Sequence, residues 1–494
     1  MADSGGPAAA CTVEVEVGRV PRRARFSEWA LRSRPWLYPA GVFLLAFAVR
    51  LWWVRHWIVP PYGDQPSLET YASSVAHGLY YGTQGAYWPP AFVFLAGLVE
   101  KCFGHGHAHL AVRTANAVLA ALGAAVTTDL GRRLLRSAEA GLAAGAVLAL
   151  YAPSIYYTDA FVAVSLETLT LVAVCTAALA YADRPTATRL VLVGVLLGIA
   201  TLTKPTQLPL LVPACACWGL RRTRGFDWRF AGRSAAAALA VALLVIAPWT
   251  LRNLRVTGSA VLVDTNGGVN FLIAHNPGAT GTWMDLGPAN PVLLRGSGYD
   301  QADTDHLAWQ AGLHYFLRHP GADLRQAGRV VALFWGMADP DIGAFGGGLR
   351  PITTDLHLPL VGFHVLRDLA LLGGVGFLWR WRRMAVLWVT ALGYCGGLSL
   401  LFFAPRFRLP VAPLLAVAAA AALQQLAVGW RAQQESALAA PASGGLFGVV
   451  DGRRGGRSHS PLAPSACTPE GGAVRRATPG QNACPSVAAH SGRA

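Results

Sequence analysis

The chain has 494 residues, of which 53% are hydrophobic and only 14% are charged. Because soluble domains carry about 25% charged residues, this composition excludes an ordinary soluble domain and an intrinsically disordered chain. Eight cysteines in a chain of this length exclude a disulfide-stapled secreted domain. The composition therefore indicates an integral membrane protein, with a net charge of +15.

The apolar segments are close to the roughly 20 residues that cross a hydrocarbon core about 30 Å thick. They lie at about residues 36–57, 109–130, 139–157, 160–181, 190–203, 206–220, 232–250, 358–379, 384–403 and 409–429. This pattern predicts an all-α polytopic membrane protein with about ten transmembrane helices. The fifth and sixth segments are short, which favours tilted helices or a pair joined within the membrane.

Arginines are concentrated in alternate connecting segments. They are Arg19, Arg22, Arg23, Arg25, Arg32, Arg34, Arg132, Arg133, Arg136, Arg184, Arg189, Arg221, Arg222, Arg224, Arg229, Arg233, Arg380, Arg382 and Arg383. The positive-inside rule assigns these segments to the cytoplasm. We therefore expect a multi-pass protein of the cytoplasmic membrane with both termini in the cytoplasm.

This orientation divides the chain into five parts. We predict a disordered basic cytoplasmic leader, an N-terminal membrane module with a first outer loop at 58–108, an outer segment, C-terminal membrane helices and a disordered cytoplasmic tail. The leader spans residues 1–35, the N-terminal membrane module 36–250, the outer segment 251–357, the C-terminal membrane helices 358–430 and the tail 431–494. In the outer segment, the stretch from 314 to 335 predicts a helix that breaks at Pro320, followed by an interfacial helix.

The first outer loop carries a candidate catalytic acid. Pro66 suits the first turn of a helix, and apolar side chains then recur at helical spacing on one face: Leu68, Tyr71, Val75 and Leu79. We expect an amphipathic helix on the outer membrane surface. Asp64 precedes it and is either a general base or a helix N-cap. Glu69 is either a site residue or a solvated side chain.

A second acidic pair lies at the predicted outer end of the third and fourth spans. Asp159 marks the turn, and Glu167 lies about two helical turns into the fourth span. Ionisable groups within spans are costly and point to function. The alternative is a buried partner for an arginine such as Arg50 or Arg113, and the sequence leaves both readings open.

Five cations lie on the predicted outer side, where the positive-inside rule makes them unusual. They are Lys204, Arg252, Arg255, Arg406 and Arg408. Arginine suits bidentate phosphate binding, although each side chain could instead reach lipid headgroups. The five residues form three sites: Lys204, Arg252 with Arg255, and Arg406 with Arg408. Three cationic sites on one face favour an anionic ligand there.

Two further segments are turn-rich or histidine-rich. Residues 264–283 are dominated by Asn, Gly and Pro and do not form a nucleotide-binding glycine loop. His105, His107 and His109 could face one metal only if their stretch were extended, and a loop at the start of a span is the simpler interpretation. No cofactor is certain, the outer carboxylates leave room for a divalent cation, and its ligands are unknown.

The ordered series of motifs resembles the bacterial protein-mannosyltransferase-like (PMT) branch of the GT-C membrane glycosyltransferases, which includes the transferases that add aminoarabinose to lipid A. The resemblance covers about residues 36–430. Its segments are YGDQ…AHGLYYG, YWPPAFVFLAGLVEKCFG, RTANAVLAALGAAVTTDLGRRL, YAPSIYY…LETLTL, GIATLTKPTQLPLL, APWTLRNLRVTGSAVLVDTNGGVNFLIAHNPGATG, HYFLRHP and PRFRLPVAPLL.

The resemblance implies a membrane enzyme that uses a polyprenyl-phosphate-linked sugar at the outer face. Asp64 matches the first-loop catalytic aspartate of the family, and Glu167 matches its acidic residue at the start of the fourth span. The chain departs from the family at Gln65, where a second acid is frequent, and at Leu68, where an aromatic residue is frequent.

The resulting hypothesis assigns three groups of residues. The catalytic candidates are Asp64, Glu167 and Asp159; the donor-phosphate candidates are Lys204, Arg406, Arg408 and Arg252; the acceptor or sugar contacts are Glu69, Tyr71, Tyr87, Asn266 and Asn276. The expected partners are a polyprenyl-phosphate sugar donor, an acceptor protein, glycolipid or polysaccharide, and the lipid bilayer, but no nucleic acid. Asp64 would take the acceptor proton while cations stabilise the departing phosphate, with inversion at the sugar carbon.

Two other classes are weighed against this hypothesis. A polytopic transporter or flippase for lipid or polysaccharide would tend to show inverted repeats, and the halves of the chain show no convincing repeat. A non-catalytic assembly subunit would be favoured by loss of the outer acidic groups, whereas Asp64, Asp159 and Glu167 are present.

Overall fold

The computed structural model describes residues 36–57, 63–79, 86–222, 225–287, 290, 292, 301–337, 360–376 and 381–439. The predicted leader, and the predicted tail from residue 440 onward, lie outside the described residues. The elements up to Ala437 belong to one compact unit.

Within these ranges the chain forms α-helices, short 3₁₀ helices and irregular connections, and no β-strand. The helices of the first half are α1 Leu37–His56, α2 Gln65–Ala76, α3 Pro90–Phe103, α4 Ala108–Leu135, α5 Ala138–Ala149, α6 Ala152–Thr158, α7 Val164–Asp183, α8 Ala187–Thr203, α9 Leu211–Arg222 and α10 Trp228–Thr257. Those of the second half are α11 Gly267–Ala274, α12 Gln301–Arg318, α13 Pro320–Phe334, α14 Phe363–Gly376, α15 Trp381–Ser399 and α16 Ala412–Ala439.

The predicted all-α polytopic class is confirmed, and the chain is a multi-pass membrane protein. Five helical stretches of the described residues are long and apolar enough to cross a membrane: Leu37–His56, His105–Leu135, Val164–Asp183, Trp228–Thr257 and Pro405–Glu435. Three shorter apolar helices accompany them: Ala138–Ala149, Ala187–Thr203 and Met384–Ser399. Each of the ten predicted segments contains a described helix. Both α5 and α9 have only 12 residues and a length of about 18 Å, so neither crosses a bilayer alone.

Glycines on α8 allow that helix to approach α10 closely. A Cβ atom on Gly194 would lie 2.5 Å from the Cβ of Val241, and one on Gly198 would lie 2.7 Å from the Cβ of Val245. Small residues four apart bring membrane helices into backbone contact in this way. The packing fixes the C-terminal end of α8, where Lys204 follows.

The predicted helix of the first outer loop is present as α2, with Pro66 in its first turn. Leu68 is buried, and Tyr71 and Val75 are half-buried, as the apolar face requires. Leu79 is the exception: the helix ends at Ala76, so Leu79 lies beyond it and is exposed. The predicted break at Pro320 also occurs, because α12 ends at Arg318 and α13 begins at Pro320.

Candidate active site

The carboxylate of Asp64 forms an ion pair with Arg406, and this pair is the centre of the site. Arg406 Nη2 donates to Asp64 Oδ2 at 2.5 Å, although 342 positions separate the residues. The side chain of Asp64 is 32% exposed and that of Arg406 is 25% exposed, so both can contact a ligand. Asp64 occupies the N-cap position of α2, yet its side chain accepts no capping hydrogen bond. The carboxylate of Asp64 therefore pairs with Arg406 and does not cap the helix.

Lys204 and Arg406 are brought together by the ring of Phe407. Lys204 Nζ lies 4.8 Å from the ring centroid, and Arg406 Cζ lies 5.5 Å from it. Cations within about 6 Å of an aromatic face are attracted by its electron density. We call Lys204, Arg406 and Phe407 the cationic lobe of the site. The lobe carries two positive charges within reach of one ligand.

Asp264 lies within electrostatic range of Lys204 and was not among the predicted site residues. Burial raises the pKa of its carboxyl to about 7; Lys204 lowers it and Asp305 raises it further. An ordinary aspartate has a pKa of about 4, so this carboxyl changes its charge near neutral pH. In the sequence, Asp264 is distinguished only by its place at the start of the turn-rich segment 264–283.

Tyr87 lies among acidic groups. Burial is the main cause that raises the pKa of its phenol, and Asp64, Tyr71, Asp264 and Asp305 raise it further. These four groups therefore lie within electrostatic range of the phenol. We call Tyr87, Tyr71, Asp64, Asp264 and Asp305 the acidic lobe. It joins the cationic lobe through the contact of Asp64 with Arg406.

The backbone around the acidic lobe is held from both sides. The N–H of Thr265 donates to Ala86 O at 2.8 Å, which ties the segment before Tyr87 to the segment after Asp264. Val263 O accepts from Trp249 Nε1 at 2.6 Å and from Asn253 Nδ2 at 3.2 Å. Because its neighbours on both sides are hydrogen-bonded, Asp264 has a fixed place in the site.

The loop that carries Arg406 is anchored to the outer segment. Phe403 donates its N–H to Gly281 O at 2.8 Å. His275 Nε2 lies 3.0 Å from Leu400 O, and its Nδ1 lies 2.8 Å from Asp323 Oδ1. These contacts join the ends of α11, α13 and α15, so the outer segment positions the cationic lobe.

Arg408 lies two residues from Arg406 but supports the fold. Its guanidinium donates to Phe334 O at 2.9 Å and to Leu333 O at 2.5 Å, at the C-terminal end of α13. Its Cζ is 4.0 Å from the centroid of the Phe363 ring, and the side chain is buried. Positive charge at a helix C-terminus is favourable. Arg408 therefore joins α13 to the loop that carries Arg406.

Asp159 is buried in an ion pair with Arg113. The peptide that follows is held on both sides, because Asn116 Nδ2 donates to Ala160 O at 3.0 Å and the N–H of Phe161 donates to Gln65 Oε1 at 2.7 Å. Of the two interpretations left open by the sequence, the geometry favours the buried partner for an arginine. Gln65, at the family's second acidic position, connects α2 to this turn.

Glu167 is buried on α7 and accepts a hydrogen bond from Tyr394 OH at 3.1 Å. Its backbone oxygen accepts from Gln207 Nε2 at 3.1 Å. Arg50, the other arginine considered as an acid's partner, donates to backbone oxygens that include Ala149 O and Leu148 O. Glu167 thus links α7 to α15 and to the turn after Lys204.

The remaining predicted site residues divide between the site and the ends of helices. Tyr71 and Tyr87 lie in the acidic lobe, whereas Glu69 Oε1 lies 3.4 Å from His109 Nε2. Three others contact their own helix: Asn266 accepts from Asn270, Asn276 donates to Leu272 O and Ile273 O, and Arg252 stacks 4.9 Å from the Trp249 ring centroid.

The histidine-rich stretch is not extended. Residues His105–His107 form a single 3₁₀ turn, and His105 Nδ1 lies 2.7 Å from Glu100 Oε1. Among the residues that the structure describes, no three His, Cys, Asp or Glu side chains are grouped as metal ligands would be.

Comparison with known proteins agrees with the predicted resemblance. Residues 88–251 match the family described as dolichyl-phosphate-mannose-protein mannosyltransferase. The match confirms the resemblance to the PMT-like branch of the GT-C membrane glycosyltransferases. A search of curated protein sequences finds no match.

Two solved structures are similar to this chain at low sequence identity, and the similarity to the first extends to the fold. The oligosaccharyltransferase AglB from Archaeoglobus fulgidus, in complex with an inhibitory peptide and a dolichol-phosphate, is 15% identical with a TM-score of 0.50, over 83% of this chain and 52% of AglB. ArnT from Cupriavidus metallidurans, bound to undecaprenyl phosphate, is 14% identical with a TM-score of 0.37, over 83% of this chain and 81% of ArnT. The chain thus spans about half the length of AglB.

Proposed function

We propose that this protein is a glycosyltransferase. In this proposal it transfers a hexosyl or pentosyl group from a polyprenyl-phosphate donor to a hydroxyl acceptor at the outer face of the cytoplasmic membrane, with both termini in the cytoplasm. One observation carries the proposal: a partly exposed acid, Asp64, pairs with Arg406 beside a second cation, Lys204. A base next to two phosphate-binding groups is what transfer from a sugar phosphate requires.

The proposed reaction begins when the donor phosphate binds the cationic lobe. Arg406 exchanges its contact with Asp64 for the phosphate, which frees the carboxylate. Asp64 then takes the proton of the acceptor hydroxyl as that oxygen attacks the anomeric carbon. The bond from this carbon to the phosphate oxygen breaks, and the departing phosphate gains one negative charge that Lys204 and Arg406 stabilise. Attack opposite the phosphate inverts the configuration at the sugar carbon.

The lipid part of the donor is supported by the fold comparison. AglB, whose fold this chain shares, was solved with a dolichol-phosphate, and the family match is described by dolichyl-phosphate-mannose. The lipid chain would lie along the apolar helices and stay out of water. Acceptor proteins, glycolipids and polysaccharides all offer the required hydroxyl. The experiment below is designed to identify which of them is the acceptor.

The test replaces Asp64 with asparagine, which keeps its shape and removes its basicity. Cells that lack the protein are complemented with the wild type, with Asp64→Asn or with Asp285→Asn, a control at an exposed acid of the outer segment. Mass spectrometry of the envelope glycoconjugates is the readout. We expect the sugar modification to be restored by the wild type and by Asp285→Asn only, because loss of a general base lowers rates by about 10²–10⁴-fold.

Two measurements complete this test. Asp64→Asn must be present in the membrane at wild-type levels and must still bind undecaprenyl phosphate, so that its failure is one of chemistry. Normal modification of the envelope by Asp64→Asn would remove Asp64 from the mechanism. Modification that is identical with and without the protein would exclude the proposed transfer.

A further inference from the structure

Gln65 is a buried amide next to the candidate base Asp64. It begins α2 and lies with Leu68 and Ala72 on the buried face of this helix. Only 3% of its surface is exposed. Asp64 has helical backbone angles as well, and successive residues of a helix point about 100° apart around the axis. Asp64 therefore points away from the face into which Gln65 points, and the direction of one side chain fixes that of the other.

Gln65 binds a peptide group that is also held from its other side. Gln65 Oε1 accepts from the N–H of Phe161 at 2.7 Å, 96 positions away in the chain. Asn116 Nδ2 donates to Ala160 O, the oxygen of the same peptide group, at 3.0 Å. All four residues are buried, where a lost hydrogen bond is not replaced by water and is costly. The peptide group is therefore a firm anchor for the first turn of α2.

The turn that contains this peptide group also holds the helix that precedes Asp64. Asp159, at the start of the turn, forms an ion pair with Arg113. Arg113 in turn donates to Val54 O and Trp57 O at 2.6 Å each, at the end of α1. The end of α1 and the start of α2 are thus attached to one turn, and Asp64 lies between these two attachments in the chain.

We infer that Gln65 is a positioning residue for Asp64. The inference rests on the proposed function, since it takes Asp64 as the base of the transfer. In that function Arg406 leaves Asp64 when the donor phosphate binds, so the carboxylate loses its partner before the chemical step. The contact between Gln65 and Phe161 is buried and remains. It holds the first turn of α2, and with it the carboxylate, where the acceptor hydroxyl arrives.

The acceptor oxygen is the part of the Gln65 amide that carries this role. Its Nε2 is buried and makes no hydrogen bond among the residues that the structure describes. An unused buried donor adds no stability and costs desolvation free energy. The role therefore requires the length of the side chain and one acceptor oxygen, but not the N–H groups. Glutamate offers both, because burial favours the neutral carboxyl, whose carbonyl oxygen still accepts.

The experiment compares two substitutions that separate the reach of the side chain from its chemical group. Gln65→Asn keeps the amide but is one methylene shorter, so its oxygen no longer reaches the N–H of Phe161. Gln65→Glu keeps the length and the acceptor oxygen but loses the amide. Cells that lack the protein are complemented with each variant, and mass spectrometry follows the rate of envelope sugar modification. The purified full-length variants give the thermal midpoint and the affinity for undecaprenyl phosphate.

We expect Gln65→Asn to lower the rate of modification by about 10- to 100-fold, because a displacement of about 1 Å at a reacting group can cost about 10²-fold. Its affinity for undecaprenyl phosphate should stay close to that of the wild type, because Lys204 and Arg406 lie on other segments. Gln65→Glu should restore the rate. A merely structural role would lower the thermal midpoint and leave the rate per folded molecule unchanged.

Gln310→Asn is the matched control, since Gln310 is an exposed amide on α12, and it should act at the wild-type rate. A wild-type rate in Gln65→Asn, or a lost rate in Gln65→Glu that is folded and binds undecaprenyl phosphate, would overturn the positioning role and leave the proposed function standing. If Gln65→Asn does not fold, the rate of Gln65→Glu alone decides. Absence of modification by the wild type would overturn the proposed function, and this inference with it.

Discussion

Two aspartate–arginine pairs near the predicted outer face differ in depth. The side chains of Asp159 and Arg113 are 1% and 9% exposed, whereas those of Asp64 and Arg406 are 32% and 25% exposed. The buried arginine also donates to two backbone oxygens at the end of α1. The exposed arginine shares an aromatic ring with Lys204. An ion pair alone therefore does not identify a candidate active site. Exposure of the pair and a second cation on the same aromatic ring do.

The largest expected contrast is between Asp159→Asn and Asp64→Asn. The first leaves Arg113 buried without its counter-charge, and breaking a buried pair costs about 3 kcal/mol or more of folding free energy. The second breaks a partly exposed pair, which contributes about 0–1 kcal/mol. Thermal unfolding of the full-length protein in detergent should show a clearly lower midpoint for Asp159→Asn only. Equal midpoints for the two variants would remove the distinction between the pairs.

The sequence predicted much of the exposed region, for a physical reason. The positive-inside rule assigned Asp64, Lys204 and Arg406 to one side of the membrane, and the structure brings these three side chains together. The helix after Asp64 followed from local spacing, whereas Asp64 as the catalytic candidate came from the resemblance to the family. The sequence did not reveal which arginine each acid contacts, because partners such as Asp64 and Arg406 lie 342 positions apart.

The surroundings of Asp264 and Arg408 were also not readable from the sequence. Asp264 has no periodic pattern around it, and its raised pKa depends on burial by distant segments. Arg406 and Arg408 are indistinguishable by composition. They lie in the 3₁₀ turn Pro405–Val411, where residues two apart point in different directions because a turn takes three residues. Which of them meets the site depends on where α13 lies.

The second contrast therefore concerns these two arginines. Arg408→Met should lower the free energy of unfolding by about 2–3 kcal/mol, because two charge-assisted hydrogen bonds to α13 are lost in a buried place. Arg406→Met should change stability by less than about 1 kcal/mol and lower the transfer rate by about 10²–10³-fold, as loss of one charge-stabilising donor does elsewhere.

The readouts for this pair are the thermal midpoint and the binding of undecaprenyl phosphate. Weakened phosphate binding in Arg406→Met at an unchanged midpoint would support its place in the cationic lobe. If Arg408→Met instead lost phosphate binding at full stability, the assignments of the two arginines would have to be exchanged.

The smallest expected effect is that of Tyr394→Phe, which tests whether Glu167 belongs with the exposed or the buried region. The change removes the hydroxyl that donates to Glu167 and leaves the ring in place. A partly buried hydrogen bond to a carboxyl group contributes about 1–2 kcal/mol, so we expect a modest fall in the unfolding midpoint. Transfer should stay near the wild-type rate, because the contacts of Glu167 connect helices. A large loss of transfer at an unchanged midpoint would instead place Glu167 in the chemistry and would extend the active site from the cationic lobe into α7.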